Sequence, residues 1–428
     1  MSRIIIFGGG WSGLLASIKV KSLYPRSEVI CIDKSFDGGL LRSEIIDGHL
    51  FDTGGSHVVF SKNQKVISSM LSMGNKWVKR KRAAYILLNN HFVPYPFENG
   101  IYLLPPERRV RYGISLINAL IKHYNKKPKN LKEWILNMFG KEIANDYLIP
   151  YNKKVWKRPL NELSADWVYI PGRLPLPPIE DIVKAIAGIP TIGYGEQAYF
   201  YYPKRSGIIK LWESAYKRAK TFGVKFLKAE VKKVKRVSNE YIVNDQIKAD
   251  KIITTLPLNE APSIFNLPEE AFKAGKRLEY NSVVVVGLGI KSPAPKQHWI
   301  YVPDKKIVFH RYAWISNYGE DTPPNKSTLT AEVTFPGGKK VDLNKIKFKV
   351  INGLIDLNTI KEKDIEIVKT WVHKYGYPVY TLTYTQDTAV IEKALTDIGV
   401  ITFGRWGNWQ YWNTDKIYEY SNNLVSYL

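Results

Sequence analysis

Apolar residues at 4–7 give way to a cluster of glycines, and the chain then resumes with a helix-like stretch at 14–23 and a second apolar run at 28–33. Two short apolar runs linked through a helix predict one βαβ unit, because parallel neighbours need a long crossover. Turn-rich sequence around Gly38, Gly39 and residues 47–61 follows, then helical periodicity near 66–73 and short aromatic strands from 79 to 96. Between 107 and 190 the pattern becomes that of amphipathic helices, at 110–123 and 131–148, with a proline-rich loop at 171–178. A helix at 208–222 and strands from 224 to 253 restore α/β character, and 252–256 reads as a buried parallel strand. Strand-like segments recur through 280–334, at 283–288, 299–302 and 329–333, which predicts antiparallel strands of a second sheet. A last buried strand at 399–403, a glycine turn and a terminal helix close the chain.

With 428 residues the chain can form two or three cooperating units around a shared core, deep enough to enclose a cofactor. Its 63 Lys and Arg against 39 Asp and Glu leave a net charge of +24, which favours anionic partners: nucleotides, nucleic acid or an acidic membrane surface. The basic residues are scattered along the chain, without zinc-finger spacing or a recognition helix, so no nucleic-acid partner is expected. The charge permits peripheral contact with an anionic membrane, and an oligomer stays possible. The basic run 79–82 reads as a solvated face. A single cysteine, Cys31, lies in the apolar run 29–32, which excludes an internal disulfide or a cysteine-rich metal site and suits a reducing, cytoplasmic setting. The start of the chain lacks a signal-peptide pattern, and the longest apolar stretch, 282–290, is about half of the roughly 20 residues a membrane helix requires.

Gly8-x-Gly10-x-x-Gly13 falls between the first strand and the first helix. There the glycines permit a tight turn, close approach of backbone to a pyrophosphate, and close packing of helix on strand. Asp33, at the end of the second strand, puts a carboxylate where ribose hydroxyls would lie. Alone the glycine pattern is unspecific; strand, helix and Asp33 at their spacings turn it into a dinucleotide fingerprint. Gly38-Gly39, with Arg42 and Ser43 behind, and Phe51-Asp52-x-Gly54-Gly55 resemble the second, flavin-contacting fingerprint of amine-oxidase-type flavoproteins. Val231 and the strand at 252–257 match the segments with which such proteins return to hold the adenine.

Further motifs narrow the resemblance. Phe92-Val93-Pro94-Tyr95-Pro96-Phe97-Glu98-Asn99 is similar to the tryptophan-valine-proline-tyrosine-proline-phenylalanine-glutamine-asparagine signature of eukaryotic-type UDP-galactopyranose mutases. Pro150-Tyr151-Asn152-Lys153-Lys154-Val155-Trp156 resembles that family's uridine-pocket motif, and Tyr377-Pro378 precedes Gly404-Arg405-Trp406-Gly407-x-Trp409-x-Tyr411 at the family's spacing. The likeness runs from about residue 3 to 415.

This resemblance implies FAD, held by Gly8, Gly10, Trp11, Ser12 and Gly13, then by Asp33, Lys34, Gly39 and Leu40. Gly55, Ser56, His57 and Val231 would add to these, with Gly404, Arg405, Tyr411, Asn413 and Thr414 from the C-terminal segment. His57, displaced by the extra Ser56, is expected against the flavin; the other reading is a core histidine bonded to backbone. Forked guanidinium groups suit the two phosphates of UDP. The resemblance puts Arg405 and a displaced Arg173 there, with Lys291 after Gly287-Leu288-Gly289-Ile290 in place of a second diphosphate arginine; each could instead be a solvated charge. Tyr280, Tyr377 and Tyr411 match tyrosines that reach the diphosphate, while Tyr95, Phe97, Asn152, Trp156 and Gln197 belong with the remaining substrate contacts.

The implied activity is interconversion of UDP-galactopyranose and UDP-galactofuranose, for a cell-envelope glycan. In it N5 of the reduced flavin attacks the anomeric carbon as UDP leaves, with no net redox change. His57, Arg173 and Arg405 form the implied catalytic set, and a reductant such as NAD(P)H would keep the FAD reduced. Two alternatives stay open: an FAD-dependent oxidoreductase of the amine oxidase or protoporphyrinogen oxidase type, and a catalytically silent sugar-nucleotide-binding flavoprotein. The expected fold is mixed α/β, with a Rossmann-like FAD domain (1–78, 203–263, 396–428), an inserted helical domain (102–191) and an antiparallel-sheet domain (79–101, 192–202, 264–395).

Overall fold

A computed structural model of the chain describes residues 2–123, 126–169, 178–191 and 198–427. Arg173 and Gln197 lie outside the described residues. Five parallel strands form one sheet in the order Val400–Thr402, Lys251–Thr254, Arg3–Phe7, Glu28–Asp33, Lys225–Lys228. Ile4, Ile5, Ile6 and Phe7 are all buried, as a central parallel strand covered on both faces requires. The helix Trp11–Leu23 makes the crossover between Arg3–Phe7 and Glu28–Asp33, completing the expected βαβ unit. A Cβ on Gly13 would stand 1.7 Å from the carbonyl oxygen of Gly8, so only glycine lets the helix leave the strand this closely.

The second sheet has seven strands, ordered Ile365–Pro378, Tyr280–Ile290, Ser327–Pro336, Arg311–Trp314, Trp299–Tyr301, Ala84–Leu88, His91–Pro94. Its pairings are antiparallel except where Trp299–Tyr301 meets Ala84–Leu88 in parallel. The apolar stretch at 282–290 is therefore a strand, buried on both faces for most of its length. Among the described residues no helix is long and apolar enough to cross a membrane.

Pro106–His123, Leu131–Ile143, Ile149–Trp156 and Ile179–Ile186 form a helical layer. The continuous helix expected over 131–148 is broken at Gly140, whose φ of +72° fits its close approach to the Ser115 carbonyl; a Cβ there would lie 2.5 Å from that oxygen. The basic run at 79–82 also differs from the expected solvated face. Strand alternation exposes Lys79 and Lys81, whereas Arg80 turns inward and donates to the carbonyls of Tyr318 and Gly319 at 3.3 and 3.1 Å.

Candidate functional site

A cavity of about 800 Å³ opens where the parallel strands end, bounded by the second sheet and by the helical layer. Its glycine-rich end is built from backbone. Gly8, at φ +97°, has no room for a Cβ, which would meet Thr255 Oγ1 at 2.3 Å. Gly10 caps the helix Trp11–Leu23 without a side-chain bond, and a Cβ on it would meet nothing within 4 Å. The first N–H groups of that helix therefore have no side-chain cap, and Gly10, Trp11 and Ser12 line the cavity beside them. Asp33 accepts from the Gly9 N–H at 2.6 Å and the Ser35 N–H at 2.8 Å, which fixes its carboxylate and leaves lone pairs for ribose hydroxyls. Lys34, Gly39 and Leu40 line the same end. Trp11 Nε1 donates to the Thr414 carbonyl at 3.0 Å, tying the first helix to the C-terminal segment, whose Asn413 and Thr414 also line the cavity. Gly13, Gly55 and Gly404 sit one layer behind. A Cβ on Gly404 would meet Ser12 Oγ at 2.3 Å, and one on Gly55 would meet the Glu332 carboxylate at 3.1 Å. An extended dinucleotide, its pyrophosphate on the helix N-terminus, fits this cradle.

The far wall is built from side chains. Arg311 and Glu332 face each other in the register of two antiparallel strands and join through two bonds, Nε to Oε1 at 2.8 Å and Nη2 to Oε2 at 2.9 Å. Glu332 also accepts from the Tyr377 hydroxyl at 3.0 Å and the Ser56 N–H at 3.3 Å. Burial alone would raise its pKa; the Arg311 charge, with His310 behind it, outweighs burial and holds Glu332 down at about 2. Arg311 lines the cavity, and among the described residues its Nη1 has no hydrogen-bond partner.

His57 lines the cavity with Nδ1 2.8 Å from the Gly55 carbonyl, so Nδ1 carries the proton and Nε2 is an acceptor. Burial pushes its pKa down to about 4, and the ring is neutral at physiological pH. Arg405 donates to the carbonyls of Trp412 and Gly376 at 3.0 and 2.8 Å and lies 4.5 Å from the Tyr411 ring, itself edge-on to Tyr377. Asn152 donates to the Leu148 carbonyl and accepts from Trp156 Nε1, which locks both side chains on one helix; the Trp156 ring meets Trp167 and Tyr411 edge-on. Tyr95 is covered by the Arg82 guanidinium at 4.5 Å and packs on Tyr301, and Phe97 packs on Tyr147.

Three expected contacts are not brought to the cavity. Lys291 is exposed beyond the end of Tyr280–Ile290, its N–H bonded to the Asp364 carbonyl. That strand lines the cavity at Val283, and at about 3.3 Å per residue Lys291 lies roughly 26 Å further along. Tyr280 points away from the face shared by Asn281 and Val283; its ring packs behind Tyr375 at 4.4 Å and lines a separate cleft with Glu279. Val231 does not line the cavity, because the Lys232 and Lys233 N–H groups bond to Asn244 Oδ1 and draw the segment toward the small sheet at 234–249.

Conversely, sequence reasoning passed over Arg311, Glu332 and Arg82. Arg311 and Glu332 each stand as the lone charge, of opposite sign, in their strands, a signal of a pair, yet only the sheet register shows that they meet.

The flavin containing amine oxidoreductase family model matches residues 210–347. An uncharacterized protein in the nifH2 3' region of Methanothermococcus thermolithotrophicus is 31% identical over 80 residues, 19% of this chain and 76% of that protein. A solved structure of reduced UDP-galactopyranose mutase superposes with a TM-score of 0.90 at 24% identity, over 100% of this chain and 94% of that one. A candidate protoporphyrinogen oxidase from Exiguobacterium sp. 255-15 superposes with a TM-score of 0.75 at 14% identity, over 99% and 98%. The chain therefore has the mixed α/β fold of the FAD-dependent amine-oxidase-like superfamily, and it belongs to one family with the Methanothermococcus protein.

Proposed function

We propose that this chain is an FAD-dependent isomerase that interconverts UDP-galactopyranose and UDP-galactofuranose, as the sequence resemblance and the mutase-like fold suggest. The observation that carries the reading is Arg311, a guanidinium locked by Glu332 in the cavity wall with Nη1 unpartnered among the described residues. A partly buried guanidinium held in one orientation, with a donor left over at the cavity, suits a diphosphate oxygen. Arg311 thus takes the part expected of Lys291, and Arg173 remains the proposed second grip on the diphosphate.

FAD would be held by the Gly8–Gly10 turn, Ser12, Asp33 and Thr414. Bound, and reduced by hydride from an external donor such as NAD(P)H, it would supply the electron-rich nitrogen that the isomerisation needs. The protein's own residues supply position and charge. Arg311 and Arg405 hold the diphosphate while UDP is detached, so that it returns to the same sugar. Neutral His57 packs at the cofactor without adding charge that would compete with the phosphates. Trp156 and Asn152 shape the nucleoside side, and the rings of Tyr95, Tyr151 and Tyr301 keep water from the reacting sugar. Asn413 caps the helix Thr414–Ser421 without a side-chain bond, leaving that helix N-terminus to favour negative charge at the cavity.

The test is to incubate dithionite-reduced, FAD-loaded protein with UDP-galactopyranose and separate the products by chromatography. The furanose isomer should form without substrate oxidation. Substrate loss in the oxidised protein with release of hydrogen peroxide would replace this reading with an oxidoreductase on the same fold.

A further inference from the structure

The helix Pro106–His123 is apolar on two faces, and the fold covers one of them. Tyr112, Gly113, Leu116 and Ala119 are buried, on the side packed against the helix Leu131–Ile143. Val110, Ile114, Ile117 and Ile121 recur at i, i+4, i+7 and i+11 on a second face and are all exposed. Ile121, at 76%, is the most exposed large apolar side chain among the described residues. At about 1.5 Å per residue the stripe is roughly 16 Å long.

The helix Ile179–Ile186 widens it. A Cβ on Gly113 would touch Ile186 and one on Gly188 would touch Arg109, so the two helices run antiparallel, side by side. On each, exposed apolar positions come one residue after inward-facing ones: Val110 after Arg109 and Ile114 after Gly113, and Val183 after the buried Ile182. Between antiparallel helices that offset turns both sets to the same outer side, and Ile179, four residues before Val183, joins them.

The C-terminal end of the stripe runs into Lys122, Lys126, Lys127, Lys129 and Lys132, all exposed and, among the described residues, none with a carboxylate partner. On other helices Lys184, Lys210, Lys273 and Lys393 are each paired with an acid three or four residues away. The carboxylates of Glu142 and Asp146 are engaged by Arg111, and Glu107 lies at the opposite end of the stripe. An apolar surface edged by unpaired lysines matches an anionic bilayer: the side chains enter the boundary between headgroups and acyl chains, and the cations meet lipid phosphates. A nucleic acid offers nothing to the isoleucines, and a second copy brings the same net charge of +24 and the same lysines. Three turns of one helix and part of another are also small beside the roughly 800 Å² that each partner buries in a stable complex.

We propose that this face docks the protein on an anionic phospholipid surface, with both helices lying in the plane of the membrane. The inference stands apart from the UDP-sugar reading, since none of these residues lines the cavity. The test is sedimentation of the FAD-loaded full chain with vesicles of phosphatidylcholine, alone or with about one third phosphatidylglycerol. Wild type is compared with Ile114→Gln/Ile121→Gln, with Lys122→Glu/Lys126→Glu/Lys127→Glu, and with Phe348→Gln, which changes an exposed ring on the helix Leu343–Asp356. Flavin absorbance and circular dichroism check folding, and all of the changed side chains are exposed. Wild type and Phe348→Gln should bind the mixed vesicles, less tightly as salt rises, and bind phosphatidylcholine alone at least roughly tenfold more weakly. The isoleucine and lysine variants should each lose at least roughly tenfold in affinity for the mixed vesicles. Failure of wild type to sediment with the mixed vesicles, or unchanged binding by the isoleucine variant, overturns the proposal. So does a wild-type dimer in light scattering that Ile114→Gln/Ile121→Gln dissociates, because the face is then an interface between copies.

Discussion

The two ends of the cavity are made in different ways. At the glycine end the wall is mostly backbone, and its one carboxylate on the second strand, Asp33, is fixed by the turn it helps to hold. At the far end the working atoms are charges and rings brought together around Glu332 from Arg311, Tyr377 and Ser56, which are 21, 45 and 276 positions away. A backbone site is governed by how much space a Cβ would take, so its residues come in short runs rich in glycine. A side-chain site is governed by which strands lie next to each other, and its residues can come from anywhere in the chain.

The most damaging change should fall at the glycine end. Gly13→Val drives a branched side chain into the Gly8 carbonyl, where backbone on both sides prevents relief, and should cost more than about 4 kcal/mol. The expected result is little soluble protein and no flavin absorbance; a stable yellow variant would break the claim that Cβ clearance governs this end. Next in size, Glu332→Gln removes one partner of the buried pair and should destabilise by about 3 kcal/mol at neutral pH. Glu332 has a folded pKa near 2, below the ordinary carboxylate range of about 4.3. Its contribution is therefore present above that range and is lost as pH falls through it toward about 2. Urea unfolding should show wild type and variant converging in acid, and a gap that is constant with pH would contradict the ionised pair.

Two smaller effects sharpen the contrast within each end. Gly10→Ala places its Cβ in open cavity rather than against protein, so unfolding should be nearly unchanged while FAD affinity drops roughly tenfold. Titration of the apoprotein with FAD measures this, and a large loss of stability would mean that Gly10 is needed by the fold instead. At the far end Lys291→Ala should change UDP affinity by less than about 0.5 kcal/mol, because Lys291 is exposed and off the cavity. A marked loss of UDP binding would return Lys291 to the site and undermine the role given to Arg311.

Local sequence accounts for the elements and the glycine end: the βαβ unit at 3–33, the Gly8 turn, Asp33 and the buried strand at 251–254 are set by hydrophobic period and turn sterics, which act over a few residues. Motif spacing also marked Tyr95, Asn152, Trp156, Tyr377, Arg405 and Tyr411, all of which line the cavity. Which face of each long strand the cavity takes was settled by the packing of distant segments. Tyr280 and Lys291 belong to the right strand or its edge, yet one lies on the other face and one is too far along. Arg80 and Arg82 turned inward from a run that local charge marks as solvated. Arg311 came opposite Glu332 because two antiparallel strands settled in one register. That register is fixed by burial across the whole sheet, and a slip of one residue would exchange the faces of every side chain, so no local window of sequence can specify it.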